Sequence, residues 1–299
     1  MGFRQDHPRW DVEGKDWPNR ETSRFVEAGG LRWHVQMAGE GPALLLLHGT
    51  GAATHSWRGL LPLLATRFRV IAPDLPGHGF TAMPVSAGLS LRGMSGLVDG
   101  LLRQLDIRPD VAVGHSAGAA ILAAMVIERL AMPKTLVALN GALLPMRGAG
   151  LFGPLARLLF LNPLAPRIFS WRAEDMRATR KLLEGTGSVI DARGIEFYAR
   201  LFRKPGHVAA TLGMMANWEL DWLERRLPRM DVPLLLVTGV NDRAVAPAQA
   251  RDLARRLEAA RLVELEGGHL VHEERPADVA RVIIDEVTIH IRGATENCQ

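Results

Sequence analysis

The Gly-His-Ser-Ala-Gly pentapeptide of residues 114–118 constrains the fold more than any other feature of this sequence. An apolar run, residues 111–113, precedes it, and a helical pattern of small side chains, residues 119–130, follows it. This order predicts a strand, a sharp turn and a helix, with Ser116 held in a strained conformation that only small flanking residues permit. At the start of a helix, free N–H groups and the helix dipole favour developing negative charge. The pentapeptide therefore predicts a serine nucleophile for acyl transfer.

Two further residues stand where the partners of such a serine are expected. Asp242 follows a buried-strand pattern at residues 234–239, and His269 follows another at residues 261–265. The carboxyl ends of parallel strands lie at one edge of a sheet, so the three side chains are expected to converge there. His269 would take the proton of Ser116, and Asp242 would fix the tautomer of the imidazole and stabilise its charged form. The chain order of serine, acid and histidine agrees with this interpretation.

Both partners also have simpler interpretations. Asp242 could cap a helix that begins near Pro247, and His269, after two glycines, could be a solvated turn residue. His269 and His272 form an H-x-x-H pair, but the sequence has no third ligand at a recognisable spacing, so we predict no metal site. The joint order of Ser116, Asp242 and His269 favours catalysis, and the chemistry requires neither a metal nor an organic cofactor.

An oxyanion hole is predicted after the first strongly apolar strand, residues 43–47. That strand pattern ends in a glycine-rich loop, residues 48–51, in which a backbone N–H can turn toward Ser116. We predict that the amides of Thr50 and Ala117 bind the tetrahedral oxygen. The alternatives are a loop that only turns the chain, or a phosphate site, which is disfavoured because no Gly-Lys-Ser/Thr follows.

The remaining polar residues near the predicted site are interpreted as structural. Asn140 follows the strand predicted at residues 135–139, a second position at which the acid can stand in such a site. An amide cannot stabilise an imidazolium, which supports Asp242 as the acid. We assign no chemistry to His55, His78 or His115.

The order of the predicted elements indicates an α/β protein. An antiparallel hairpin is predicted over residues 25–38, with Gly29 and Gly30 at its turn. Further strands are predicted at residues 43–47, 69–72, 111–113, 135–139, 234–239 and 261–265, and a helix at residues 91–105. Strands and helices alternate after the hairpin, which implies a mostly parallel sheet with right-handed crossovers.

One long interruption of this alternation predicts a helical cap. Residues 143–227 contain no comparable strand, and an insertion there would lie above Ser116. We therefore predict a core of residues 1–142 and 228–299 and a cap subdomain of residues 143–227. Apolar cap residues are candidates to line the substrate pocket, although most such residues form a cap's own core. The candidates are Trp171, Met214, Met215 and Trp218.

Composition limits the compartments and partners. The chain has 299 residues, 47% of them hydrophobic, and a net charge of +4 at pH 7. Its basic residues are scattered or alternate with acidic ones, so we predict no nucleic-acid partner, while a weak attraction to anionic lipid or a carboxylated substrate stays open. A single cysteine, Cys298, excludes an internal disulfide. With no signal peptide and no run of about 18 apolar residues, we expect a cytoplasmic protein without a membrane span.

Several motifs together resemble the α/β-hydrolase superfamily over residues 24–291. They are His48-Gly49-Thr50-Gly51, the turn Asp74–Gly79, the pentapeptide, Gly239-x-x-Asp242 and Gly268-His269. This resemblance implies an α/β-hydrolase fold, with a mostly parallel eight-stranded sheet, helices on both faces and a helical cap insertion.

Four stretches, residues 16–20, 46–57, 139–145 and 213–218, resemble more narrowly the family of magnesium-chelatase accessory proteins of bacteriochlorophyll biosynthesis. That resemblance implies a role in the magnesium branch of tetrapyrrole synthesis, a tetrapyrrole-related substrate, and magnesium-chelatase subunits as partners.

Two functions of different classes follow from these patterns. The first is a serine hydrolase that cleaves an ester or related acyl bond of a bulky hydrophobic substrate, with Ser116 as nucleophile. The second is a non-catalytic scaffold that binds a porphyrin or contacts chelatase subunits and retains the three residues. The intact set of Ser116, Asp242 and His269 favours the enzyme.

Overall fold

The computed structural model describes residues 6–145, 162 and 164–296. Its strands are β1 (Ser23–Ala28), β2 (Leu31–Ala38), β3 (Ala43–Leu47), β4 (Arg69–Pro73), β5 (Val111–His115), β6 (Thr135–Leu139), β7 (Leu234–Gly239) and β8 (Ala260–Leu265). They form one eight-stranded sheet in the order β1-β2-β4-β3-β5-β6-β7-β8. The pairs β1–β2 and β2–β4 are antiparallel, and the other neighbours are parallel. The predicted mostly parallel eight-stranded sheet is confirmed.

The helices cover both faces of this sheet. They are α1 (Leu60–Leu64), α2 (Leu91–Gln104), α3 (Ala117–Ile127), α4 (Ala165–Arg172), α5 (Met176–Gly185), α6 (Ala192–Phe202), α7 (Pro205–Ala216), α8 (Asp221–Glu224), α9 (Pro247–Arg256), α10 (Val271–Glu274) and α11 (Pro276–Glu296). Apolar residues of α2 and α3 share one core cluster, and those of α1 and α11 share another on the opposite face.

Strand β3 shows why such apolar runs form central strands. Leu45 and Leu47 belong to the α2–α3 side of the core, whereas Leu44 and Leu46 belong to the α1–α11 side. Side chains of a strand alternate between the two faces, so a strand covered on both faces is apolar at every position. Full burial of each leucine contributes about 2 kcal/mol relative to an exposed one.

The β1–β2 hairpin closes at the two glycines that the sequence indicates. Gly29 and Gly30 have φ angles of 57° and 75°. Two successive positive φ angles are those of a type I′ turn, which matches the twist of the flanking strands and suits glycine. The sheet therefore begins with an antiparallel pair, as predicted.

The described chain between β6 and β7 contains helices α4 to α8 and no strand. Asp175 and Asp191 begin α5 and α6 by accepting hydrogen bonds from the N–H groups of Arg177 and Gly194. The proposed division into a core and a cap of residues 143–227 stays a prediction. Part of that range, residues 146–161 and 163, lies outside the described residues, as does Cys298.

The segment before β1 joins this helical insertion to the core. Trp17 Nε1 donates a 2.9 Å hydrogen bond to Thr54 Oγ1, which follows the loop after β3. Asp16 accepts a 2.6 Å bond from Arg200 of α6, and Lys204 lies 2.6 Å from a carboxylate oxygen of Glu13. Through these contacts, the N-terminal segment ties α6 and the turn that leads into α7 to the end of the loop after β3.

Candidate active site

Ser116 stands at the junction of β5 and α3, in the turn that the pentapeptide predicts. Its backbone angles are φ 51° and ψ −115°, a strained conformation for a residue with a side chain. The flanking glycines have no room for a Cβ: one at Gly114 would lie 2.4 Å from the Ala119 nitrogen, and one at Gly118 would lie 2.1 Å from the Leu47 oxygen. The close approach of β3, β5 and α3 therefore requires the small residues around Ser116.

Asp242 follows β7 and is surrounded by hydrogen-bond donors. Its Oδ1 accepts from the N–H groups of Ala244 at 2.7 Å and Val245 at 2.9 Å. Its Oδ2 lies 2.8 Å from Nδ1 of His269 and also accepts a short bond from Nδ2 of Asn140. The two backbone N–H groups and the Asn140 amide are three donors to one buried side chain, which favours an ionised carboxylate, because that group only accepts hydrogen bonds.

His269 follows β8 and faces Asp242 with one of its two ring nitrogens. Because the carboxylate accepts, Nδ1 carries the ring proton and donates it to Oδ2 across 2.8 Å. Nε2 then holds a lone pair, and it makes no hydrogen bond within the described ranges. The ring therefore has the tautomer that a general base needs.

Residue His115 links this pair to the Ser116 turn. Its Nε2 bonds the carbonyl oxygen of His269 at 2.9 Å, and the two ring centroids are 4.7 Å apart. In the described part of the chain, Ser116 Oγ forms no hydrogen bond with His269. Bonds between nucleophile and base are often long in a free enzyme and tighten when substrate binds.

Asn140 connects the ends of three segments beside Asp242. Besides its bond to the Asp242 carboxylate, its Nδ2 donates to the Gly268 oxygen at 3.1 Å, and its Oδ1 accepts from the Gly239 N–H at 3.2 Å. Its φ of 46° is one that asparagine adopts more readily than most residues. The amide thus orients the carboxylate and the loop that carries His269.

The loop after β3 passes directly beside the Ser116 turn. A Cβ at Gly49 would lie 2.8 Å from His115 Nδ1 and 3.1 Å from Ser116 Cβ, so the chain approaches the turn as closely as glycine allows. Neither the Thr50 N–H nor the Ala117 N–H donates a hydrogen bond to any described residue. Two free amides next to a serine are what an oxyanion hole requires.

His207 of α7 holds this loop from the side of the insertion. The Gly79 N–H donates to its Nδ1 at 3.1 Å, so Nε2 carries the proton and donates to the Gly51 oxygen at 3.0 Å. Burial, reinforced by the neighbouring His78, lowers the pKa of His207 well below its ordinary value and keeps the ring neutral. A helix of the insertion is thereby bonded to the loop that carries Thr50.

The buried carboxylate of Asp74 fixes the other end of the same loop. It accepts hydrogen bonds from the Thr54 N–H at 2.7 Å, the Phe80 N–H at 2.9 Å and His34 Nδ1 at 2.8 Å. Burial acts to raise the pKa of Asp74, but the interactions with His34 and Phe80 outweigh burial and hold that pKa well below its usual range. An ionised Asp74 therefore ties the loop to β2 and to the turn after β4.

The four pocket candidates lie in different environments. Met214 is fully buried beside Thr50, whose Oγ1 lies 3.5 Å from the methionine sulfur. Met215 is 42% exposed, and Trp218 is partly buried against the main core. Trp171 is 69% exposed on α4, whereas Met214 is fully buried on α7. The apolar character of a residue alone therefore does not predict whether it lies on the buried or on the exposed face of its helix.

A buried polar cluster behind His269 joins the core to α6. The Glu273 carboxylate accepts hydrogen bonds from Ser56 Oγ and Tyr198 Oη, each at 2.7 Å, and pairs with Arg58. His272 directs Nε2 to Ser56 Oγ at 2.7 Å. Within the described ranges, no three His, Cys, Asp or Glu side chains form a group that could hold a metal ion.

His55 has no such partners. Both of its ring nitrogens lack a hydrogen bond to described residues, and the ring packs against Trp17, Phe197 and Tyr198. Burial, followed by the charge of Arg58, lowers the pKa of His55 well below its ordinary 6.5. The folded protein therefore keeps this ring neutral at a pH at which the unfolded chain protonates it.

This difference predicts acid sensitivity that a single substitution reduces. As the pH falls below 6.5, the unfolded state gains a proton at residue 55 that the folded state does not take up, so wild-type stability falls. Between about pH 7 and about pH 5, we expect the unfolding free energy of wild type to decrease by about 2 kcal/mol more than that of His55→Phe, because the variant has no imidazole to protonate at residue 55. Urea denaturation at both pH values measures this; equal losses in the two proteins would show that folded His55 takes up the proton.

Sequence reasoning missed the residues that support the site from a distance. The sequence alone indicates no functional role for His115, no contact between Asn140 and Asp242, and no role for His207. The only signals were the position of His115 inside the pentapeptide and of Asn140 at a strand end. No local pattern marks His207, because its partners are brought to it by the packing of α7.

A family model described as alpha/beta hydrolase family matches residues 44–282. The chain therefore belongs to the alpha/beta hydrolase family.

Among its relatives is the magnesium-chelatase 30 kDa subunit of Rhodobacter capsulatus, to which it is 39% identical over 278 residues, covering 90% of this chain and 96% of the relative. It is 31% identical over 272 residues to the dihydrolipoyllysine-residue acetyltransferase component of the acetoin cleaving system of Pseudomonas putida, covering 89% and 69%. A solved alpha/beta hydrolase fold protein from Burkholderia ambifaria superposes with a TM-score of 0.74 at 26% identity, covering 88% and 97%. Both resemblances inferred from the sequence, to the superfamily and to the chelatase-associated family, are confirmed.

Proposed function

We propose that this protein is a serine hydrolase that cleaves an ester or related acyl bond through Ser116, His269 and Asp242. The observation that carries the proposal is the environment of Asp242: a carboxylate with four donors, one of which is His269 Nδ1 at 2.8 Å. That arrangement leaves the lone pair of the His269 ring on Nε2. The backbone of His269 is in turn bonded to His115, the residue before the strained Ser116. A purely structural His–Asp pair does not require such a serine.

The reaction begins with attack of Ser116 Oγ on the carbonyl carbon of the substrate. The hydroxyl proton passes to His269 Nε2, and the carbonyl oxygen becomes an oxyanion that accepts hydrogen bonds from the Thr50 and Ala117 amides. Collapse of the tetrahedral intermediate breaks the acyl bond, and the leaving alcohol takes the proton from His269. Water, deprotonated by His269, then attacks the acyl-enzyme, releases the acid and restores Ser116.

We propose a bulky hydrophobic substrate for the same site. Met214 lies against Thr50, so an adaptable apolar side chain borders the proposed oxyanion hole. The name of the Rhodobacter capsulatus relative, a magnesium-chelatase subunit, supports a tetrapyrrole-related substrate and an accessory role beside magnesium chelatase in bacteriochlorophyll biosynthesis.

The same name favours a second candidate function. A subunit of a chelatase can act by binding, and a protein with this fold could hold a porphyrin or contact chelatase subunits without turnover. The two candidates differ in whether Ser116 reacts with an acylating or phosphonylating reagent.

Labelling of the folded chain with a fluorophosphonate probe separates these functions. If the hydrolase proposal is right, the probe modifies one serine, and peptide mass spectrometry finds the modification on the peptide that contains residue 116. Heat-denatured protein is the control and should not react. A folded protein that resists the probe would favour the binding function.

Loss of the His207 bond is expected to impair the proposed oxyanion hole without removing any of its donors. We expect His207→Leu to lower kcat for a p-nitrophenyl ester about 10²-fold, as a shift of roughly 1 Å in a catalytic group does, with little change in KM. His207→Gln, which keeps a donor and an acceptor, should recover much of that loss. Steady-state kinetics of both variants measure the effect; equal losses in the two variants would contradict a positioning role.

A further inference from the structure

Helix α4 of the insertion has an outward face that no described element covers. Leu164, Ile168 and Trp171 are spaced by four and three residues and therefore lie on one side of the helix. They are 57%, 55% and 69% exposed. Arg167 and Arg172, both exposed, flank this stripe on either side. We call these five residues the outer face of α4.

Three residues of α4 outside this stripe are used in packing, whereas Phe169, which also lies outside the stripe, is 47% exposed. Ala165, Pro166 and Ser170 are buried, and Ala165 forms a small cluster with Val208 and Leu212 of α7. The stripe on the outer face is therefore not the helix's own contact with the core. Three large apolar side chains in contact with water on two turns of helix indicate a binding surface.

The charges on the outer face are of one sign. Neither Arg167 nor Arg172 forms an ion pair with any described residue, and residues 164–172 contain no carboxylate. Glu174 and Asp175 come only after the helix ends. Two free guanidinium groups beside an apolar stripe with a tryptophan are suited to a surface that is anionic outside and apolar beneath.

We propose that the outer face of α4 binds the surface of an anionic lipid bilayer. Trp171 and its apolar neighbours enter the boundary between headgroups and acyl chains, and the two arginines contact lipid phosphates. A stable protein–protein interface buries about 800 Å² on each partner, with some 20 to 30 residues, far more than two turns of helix present. A bilayer needs no such matching shape, which favours lipid over a protein partner.

Binding at this face is peripheral. Over the described residues, no helix is both long enough and apolar enough to cross a bilayer. The proposal does not depend on hydrolase activity, because it concerns residues on α4 and not the loops around Ser116. Failure of the labelling experiment would leave it unaffected.

Sedimentation with lipid vesicles tests the proposal on the full chain. We expect wild type to bind vesicles of phosphatidylcholine mixed with phosphatidylglycerol, to bind those of phosphatidylcholine alone much more weakly, and to be released as salt is added. Arg167→Gln/Arg172→Gln should lower the partition coefficient about fivefold for each arginine removed. Ile168→Ser/Trp171→Ser should reduce binding to the level of pure phosphatidylcholine.

Two control variants distinguish the outer face from general properties of the protein. Arg67→Gln/Arg69→Gln removes the same charge from exposed positions at the start of β4, at the other end of the sheet from the Ser116 turn. Val85→Ser removes another apolar side chain, 75% exposed. Both should bind like wild type, and thermal melting should show every variant folded. Equal losses in controls and outer-face variants, or no binding of wild type to anionic vesicles, would overturn the proposal and point to a protein partner for α4.

Discussion

Replacing Ser116 by alanine is expected to abolish fluorophosphonate labelling and to lower ester hydrolysis by roughly 10⁶-fold, the loss seen when a serine hydrolase loses its nucleophile. Alanine leaves no oxygen to form the acyl-enzyme, while the proposed oxyanion amides of Thr50 and Ala117 remain. Any residual rate should come from those amides and from binding alone. Probe gels and hydrolysis of a p-nitrophenyl ester measure the two effects.

A matched control makes this result specific. Ser86→Ala changes an exposed serine after β4 and should label and hydrolyse like wild type. Thermal melting of Ser116→Ala should stay near that of wild type, because the substitution removes a single atom from a turn whose backbone angles are unchanged. Labelling that persists in Ser116→Ala would identify a different nucleophile and contradict the proposed mechanism.

The same variant separates catalysis from binding in the cell. If the proposed role in bacteriochlorophyll biosynthesis depends on turnover, Ser116→Ala should fail to restore pigment formation in a phototroph from which the corresponding gene has been deleted, although the variant protein is present and folded. If the protein acts as a chelatase-associated scaffold, Ser116→Ala should restore pigment as wild type does. Immunoblotting for the variant protein excludes loss through degradation.

Much of the fold was predictable because parallel strands covered on both faces leave an unambiguous pattern. Residues 43–47, 135–139 and 234–239 are apolar at almost every position, and the structure has strands with those same bounds. The two glycines of the first hairpin favour the positive φ angles of a type I′ turn, so the position of that turn is also predictable. Local sequence therefore places the ends of these three strands, and with β7 the loop that carries Asp242, whereas β5 runs two residues beyond the predicted 111–113, so that Ser116 follows it directly.

The contacts that orient these residues come from long-range packing, which local patterns do not encode. His207 and Gly51 are separated by 156 positions, and Asn140 and Asp242 by 102. His115 resembled a residue that only fills a strand end, but its ring reaches the backbone of His269. Likewise, the sequence shows that Trp171 is apolar but not whether it faces the core or the solvent. The packing of α4 on α7 leaves it exposed.

Asparagine in place of Asp242 is expected to lower kcat about 10⁴-fold, because the environment of this side chain accepts a carboxylate and opposes an amide. If the amide oxygen of the variant accepts from Ala244 and Val245, its NH₂ group faces two other donors, Asn140 Nδ2 and His269 Nδ1. The ring of His269 must then move its proton to Nε2 to accept at Nδ1. In that tautomer it cannot take the proton of Ser116.

In Asp242→Asn, kcat and the rate of fluorophosphonate labelling should therefore decrease together, because both depend on deprotonation of Ser116. Asp252→Asn is a suitable control, because that aspartate pairs with Arg256 on the surface of α9 and should leave both rates unchanged. If Asp242→Asn kept more than about a tenth of wild-type kcat, tautomer control by Asp242 would be excluded, because the wrong tautomer costs far more than that. His269 would then have to be held by another group, and the four donors around Asp242 would serve only to join the loops after β6, β7 and β8.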